Sequence, residues 1–246
     1  MKIFKIAICI LLTCLILCAC TNKRLTPNGE KLIDNKTGIE YNVAPSCYEP
    51  IGLGTEYARS DRQGYDVTYY RIGELSPLEW LTDGEYNVYY ANGVTLPSFD
   101  EMSFNRIVVC EEYDALISVK DITDASLVNK VIDGYKNAQE TEYLGLKADA
   151  VYKLKFRSAI YPYIQYSLTY YEYTDGCKVQ VNVDDITTYE YYTNDESVTI
   201  TTAENSDGGW TVTYDYGKYF IRNEYTGDFF KVSDELADIV GNISYE

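Results

Sequence analysis

The chain of 246 residues contains no histidine. That absence removes every mechanism that needs an imidazole as base, relay or ligand, among them Ser-His-Asp and Cys-His hydrolysis and the common zinc sites. Glycines never gather into a dinucleotide fingerprint behind a strand and no P-loop occurs, so nucleotide chemistry is not expected. Basic residues are scarce too: 21 Lys and Arg face 38 Asp and Glu, a formal charge of −17. A surface of that sign repels nucleic acid and lacks the basic footprint that binding it requires.

What is present begins with an address. Lys2 and Lys5 precede an apolar run from Ile6 to Leu17, and Cys18-Ala19 leads into Cys20, the three-part layout of a secretory signal. The run falls short of the roughly 20 apolar residues of a spanning helix, and Thr21, Asn22, Lys23 and Arg24 follow at once. Leu17-Cys18-Ala19-Cys20 resembles the lipobox of bacterial lipoproteins, with a leucine three residues before the cysteine and a small residue just before it. The resemblance implies that residues 1–19 are a signal peptide and that Cys20 becomes the lipidated first residue. Two acyl chains hold a protein stably on a bilayer, so the expected location is the cell membrane, lipid-anchored and facing the exterior. Losing Lys2 and Lys5 with the leader leaves 19 basic against 38 acidic residues, a charge of −19.

A composition of 46% hydrophobic and 15% aromatic residues supplies a packed core, which excludes disorder for the body of the chain. Cys47, Cys110 and Cys177 remain after processing. One disulfide plus a free thiol is open, and no rule selects the pair. The favoured reading places Cys110, ending "RIVVC", and Cys177, starting "CKVQVNV", in strands as small buried hydrophobes.

Residues 20–45 are polar and punctuated by "TPNGE" and "DNKTG", which reads as a lipid anchor and tether. Residues 46–246 read as a single globular domain, with a subdivision conceivable at the polar stretch 138–150. "YDVTYYRI" has strand composition, "SPLEWLTDG" the grammar of a short capped helix from Ser76 to Gly84, and Asn92-Gly93 marks a reversal. "RIVVCEEYDALISVKDI" supplies two strands. In "TDASLVNKVIDGYKN" the residues Leu127, Val128, Val131, Ile132 and Tyr135 recur at helical spacing. "VYKLKFR" alternates Tyr152, Leu154 and Phe156 against Lys153, Lys155 and Arg157. "YIQYSLTYYEYTDGCKVQVNV" reads as an antiparallel hairpin turning at Thr174-Asp175-Gly176. Strands follow at "ESVTITT", "GGWTVTYDY", "KYFIRN" and "DFFKVS", the last two joined as a hairpin, and Ser233 caps a closing helix that Gly241 can end. Neighbouring strands with interrupting helices predict an α+β fold, mainly antiparallel sheet with a few short amphipathic helices. The carboxy-terminal half, from "ISVKDITDASLVNKVIDGYKN" to "GKYFIRNEYTGDFFKVSDEL", resembles domains common in Gram-positive lipoproteins, a likeness of pattern that brings no catalytic residues with it.

Carboxylates are the chemistry left in quantity. A glycosidase needs two, about 5 to 9.5 Å apart, and Glu111-Glu112 and Asp184-Asp185 are the adjacent pairs the sequence offers, although acids in such places are usually solvated loop residues. "DDITTYE", "TNDES" and "NSDGG" are acidic loops, none with the spacing of a calcium loop, so no metal or other cofactor is expected. The 27 tyrosines, as in "YYEYTDG" and "YEYYTND", suit either binding surfaces or half-buried strands, and their spread favours the latter. The expected protein is a non-catalytic binding or structural lipoprotein of the envelope. Its expected partners are the membrane, through lipid on Cys20, and an envelope protein or wall glycan. The alternative is a carboxylate-dependent hydrolase of envelope polysaccharide.

Overall fold

A computed structural model describes residues 23–62, 64–112, 116–143, 145–183, 198–206 and 208–241. The chain divides into two units, one of residues up to Ala44 plus Pro50–Leu96, the other of Pro45–Glu49 plus everything from Pro97. Prolines stand at each crossing, where the ring fixes φ and removes a ladder donor. Both units draw on residues 46–246, and no boundary between them falls within 138–150. Within that stretch Gln139–Thr141 is a strand paired with Phe229–Lys231.

The first unit is a seven-stranded sheet of β1 (Leu25–Asn28), β2 (Lys31–Asp34), β3 (Glu40–Val43), β5 (Glu56–Arg62), β6 (Tyr65–Tyr70), β7 (Trp80–Asp83) and β8 (Val88–Ala91), in the order β1-β2-β3-β8-β7-β6-β5. It curls until its ends meet. Arg24 bridges Arg59 in parallel and the Arg59 N–H donates to the Lys23 carbonyl at 2.8 Å, so the sheet closes as a small barrel. Leu25, Leu32, Tyr41, Ala58, Tyr69, Leu81, Tyr89 and Ala91 fill it, as side chains do in barrels of this size.

Two sequence expectations fail in this unit. The tether over 20–45 is, in its described part, three strands: "PNGE" and "NKTG" are hairpin turns, with Gly29 at φ 63° and Gly38 at φ 73° in the left-handed region that glycine tolerates. Each strand is four residues long, too short to display a period. The helix expected from Ser76 to Gly84 is a single turn, in which the Ser76 carbonyl accepts from the Glu79 and Trp80 N–H groups, both at 2.9 Å. Trp80, Leu81, Thr82 and Asp83 are all buried, and a segment buried on both faces joins the sheet between β6 and β8.

The second unit holds an eight-stranded sheet and a three-stranded one. In the larger, β9 (Phe104–Glu112), β10 (Leu116–Ile122), β11 (Gln139–Thr141), β12 (Ala150–Ser158), β13 (Ile164–Glu172), β17 (Tyr219–Arg222) and β18 (Phe229–Lys231) run in the order β10-β9-β12-β13-β17-β18-β11, with β4 (Tyr48–Pro50) also on β13. Ile107, Val109, Leu154, Phe156, Tyr166 and Leu168 share one face by register. Onto it fold α1 (Ala125–Lys136) and α2 (Asp234–Gly241). Asp124 caps α1, its Oδ1 accepting from the N–H groups of Ser126 at 2.8 Å and Leu127 at 3.2 Å. Val128 and Val131 are buried, and Tyr135 meets Phe99 and Phe230 at ring distances of 5.3 and 5.5 Å. Ser233 caps α2 as expected, accepting from the Leu236 N–H. The helices touch at Gly134, where a Cβ would come within 2.8 Å of Leu236 Cδ1.

Tyr152, Leu154 and Phe156 are buried as their alternation predicts, and each deeply buried side chain of this kind contributes about 1.5–3 kcal/mol. The opposite face is only half wet. Lys155 pairs with Glu49 at 2.6 Å, Gln165 donates to the same carboxylate at 3.1 Å, and Lys153 donates to Thr169 at 2.8 Å.

The third sheet orders β14 (Lys178–Val183), β16 (Trp210–Asp215) and β15 (Thr199–Glu204) as β14-β16-β15. The hairpin expected over 164–183 is therefore not made. β13 is flanked by β12 along its length and by β17 over 169–172, while Ser167 donates to the Cys47 carbonyl of β4's approach, so β14 pairs with β16 instead. The pairing of β17 with β18 follows expectation. Apart from the parallel Arg24–Arg59 bridge, the strand registers established among the described residues are antiparallel. With two short helices among the described residues the chain is β-rich, nearer to a mainly-β protein than to the α+β expectation.

Candidate functional site

The barrel keeps one buried aspartate near each mouth. At the mouth where the described chain begins, Asp34 accepts from Lys23 at 2.6 Å and from the N–H groups of Lys36 and Thr37 at 3.0 and 3.3 Å, while the Lys23 ammonium lies 3.9 Å from the Tyr57 ring centre. Burial alone would raise the Asp34 pKa, but the hydrogen bonds from Lys23, Thr37 and Lys36 outweigh it and hold the carboxyl below its ordinary value.

At the far mouth, Asp83 Oδ1 accepts from the N–H groups of Glu85 at 2.9 Å and Asn87 at 3.0 Å. Its Oδ2 accepts from Asn87 Nδ2 at 2.9 Å and the Tyr89 hydroxyl at 2.8 Å. This clasp fixes the loop from Gly84 to Asn87. Within it Tyr86 holds φ 66°, a left-handed conformation that costs a bulky side chain about 1 kcal/mol or more, and its ring is 52% exposed.

Beside that loop opens a cleft of about 490 Å³, within the size range of small-ligand sites. Arg62, Tyr65, Asp66, Thr68, Tyr70 and Glu85 contribute to its walls. Tyr65 is 77% exposed, the largest exposure among the large apolar and aromatic side chains described. It sits where β5 turns into β6, paired in register with Arg62, and the Gly64 N–H donates to Asp61 to set that turn. An aromatic ring flanked by a guanidinium, carboxylates and a hydroxyl can stack on a sugar face while bonding its hydroxyls.

The sequence-derived candidates do not converge here. Cys20 lies outside the described residues, as do Asp184-Asp185, "DDITTYE", "TNDES" and "YEYYTND". Glu111 and Glu112 are the last two residues of β9 rather than of a turn. Asp207 of "NSDGG" lies outside the described residues, and the Asn205 N–H donates to the Gly209 carbonyl at 2.6 Å. In "YYEYTDG", Tyr170 and Tyr173 are buried. Cys47, Cys110 and Cys177 are free and buried, and burial pushes the Cys177 thiol up to about 11. Among the described residues no three acids or cysteines gather as metal ligands, and no helix is long and apolar enough to cross a membrane.

One further acid stands out. Glu172 is held above the usual carboxylate range by burial and by Asp149, next to the buried Tyr170 hydroxyl, which has no partner among the described residues. Gly241 covers them, since its Cβ position lies 3.1 Å from Glu172 Oε2 and 3.4 Å from the Tyr170 hydroxyl.

Sequence reasoning missed Tyr65, Tyr86, Asp83 and Asp34. The usable signals were Gly64 and Gly84 beside aromatic residues, the turn chemistry that presents side chains outward. Fold and site together define an antiparallel, β-rich protein built from a closed barrel and a helix-covered sheet. Comparison with protein-family models, with curated proteins and with solved structures gave no significant match.

Proposed function

We propose that the protein is a membrane-anchored lipoprotein of the cell exterior, lipidated at Cys20, whose barrel binds an envelope carbohydrate without catalysis. The observation that carries the binding role is Tyr65, an exposed ring held over an open cleft among charged and hydroxyl groups. Such a ring offers a large rigid face for stacking beside groups that can hydrogen-bond a sugar.

A binder fits better than a hydrolase. Asp83, the buried acid lining the cleft, has both oxygens committed to four hydrogen bonds and cannot deliver a proton to a leaving group. Asp66 and Glu85 are exposed, without the apolar burial on which a glycosidase's general acid relies.

The test is co-sedimentation of the full chain with purified wall polysaccharide. Tyr65→Ala removes the stacking ring from an exposed position and is expected to weaken binding about tenfold, the effect of about 1.4 kcal/mol. Equal binding by the variant, or capture of a protein in place of glycan, contradicts the reading, and release of reducing ends from the polysaccharide contradicts its non-catalytic part.

A further inference from the structure

The mouth of the barrel where the described chain begins has no slack. The Lys23 carbonyl is bonded to β5, its ammonium to Asp34, and Arg24 bridges Arg59. Only Thr21 and Asn22 separate Cys20 from Lys23. Three extended residues span at most about 10 Å, so lipid on Cys20 would hold this mouth within about one headgroup layer of the acyl chains.

We infer that this mouth docks against the lipid headgroups, so that the barrel stands on the bilayer with the Tyr65 cleft facing away. The inference rests on the lipidation of Cys20 and deepens that reading: it assigns an interaction surface and its partner, the bilayer to which the chain is tied. The occupant follows from the length of chain before Lys23 and from the surface itself.

Two loops at this mouth carry exposed leucines, Leu53 at 42% just before β5 and Leu78 at 48% just before β7. Strand directions place both loops at the end where β1 starts, because β5 runs parallel to β1 from the bridge and β7 returns antiparallel to β8, which ends there. Leucines at loop tips enter the boundary between headgroups and acyl chains favourably. Charge agrees. Exposed Arg24, Lys36 and Arg71 offset exposed Glu56, Glu74 and Glu79 at these loops and strand ends, so the mouth lacks the acid surplus that makes the whole chain −17. A surface near neutrality can approach anionic lipid where the rest of the chain is repelled.

The experiment uses the lipidated full chain in vesicles of phosphatidylethanolamine and phosphatidylglycerol that carry a nitroxide on a fraction of the headgroups. A fluorophore is placed at Leu78→Cys, separately at Leu53→Cys, and at Tyr65→Cys for the far mouth. All three positions are exposed, and the native thiols of the described residues are buried, so labelling is selective. The inference expects the Leu78 and Leu53 probes to lose about half their emission or more, as depth within about 10 Å of the headgroups requires, while the Tyr65 probe keeps its emission. Protein that floats with the vesicles but shows no quenching at Leu53 and Leu78, or equal quenching at Tyr65, overturns the docking and leaves the anchor standing. Protein that fails to float overturns both.

Discussion

The barrel and the helix-covered sheet solve the same problem by different means. In the sheet, strands of up to nine residues include one that alternates, β12, and one buried almost throughout, β13, two amphipathic helices cover one face, and the core is aliphatic and aromatic. In the barrel, strands of four to seven residues enclose tyrosines and two aspartates, and each aspartate ties a neighbouring loop to the wall. The sheet rests chiefly on non-directional apolar burial, which tolerates small displacements. The barrel relies on hydrogen bonds whose buried partners are costly to leave unmade, and it thereby fixes its loops in set conformations. The binding role proposed for the cleft suits the second kind of scaffold, where the exposed Tyr65 and strained Tyr86 are found.

This contrast can be broken by mutation. The largest effect is expected in the sheet: Phe156→Ala empties a fully buried position and should cost about 3–5 kcal/mol. Hydrogen exchange should show the loss across β9, β12 and β13; loss centred on the barrel strands would mean that the division into units is misdrawn.

A smaller effect is expected from Asp83→Asn, which keeps the shape but swaps one acceptor oxygen for a donor facing Asn87 or Tyr89. Denaturation should register about 2–3 kcal/mol, and the amides of Glu85 and Asn87 should exchange faster. A stable variant with unchanged exchange would show that the loop holds itself.

The mildest effect is the response to acid. Asp34 titrates below its ordinary value of 3.8 when folded, so its pairing stabilises the barrel fully above that pH and is lost as pH falls through the lower folded value. Lys23 titrates above its ordinary 10.5: burial opposes its charge, but bonds to Asp34 and Tyr57 prevail, so its contribution is complete below 10.5 and is lost on passing upward through the folded value. Thermal melts of Asp34→Asn and the parent should therefore differ between about pH 4 and 10.5 and converge only as pH falls from 3.8 through the lower folded value. A constant gap down to pH 2 would remove Asp34 from the account.

The same contrast explains what the sequence revealed. Long elements were legible: Tyr152, Leu154 and Phe156 alternate over a nine-residue strand, and Leu127 to Tyr135 repeat as a helix, because enough residues sample the period. The barrel was not. Four-residue strands such as "KLID" show two apolar positions at most, and their inward aspartate reads as a surface charge until Lys23 is seen across from it. Partnership between strands was equally hidden, since "CKVQVNV" alternates correctly for a return onto β13 but finds both its edges occupied. Tyr65 was one tyrosine among 27, and only closure of the barrel sets it on an open cleft.

The claim that the far mouth is a carbohydrate site is tested most directly by amide spectra of the full chain during titration with soluble fragments of its own wall polysaccharide. The account predicts saturable shifts confined to residues 64–70 and 83–87, absent in Tyr65→Ala. Shifts confined to the helix-covered sheet, or none at saturating fragment, would contradict it.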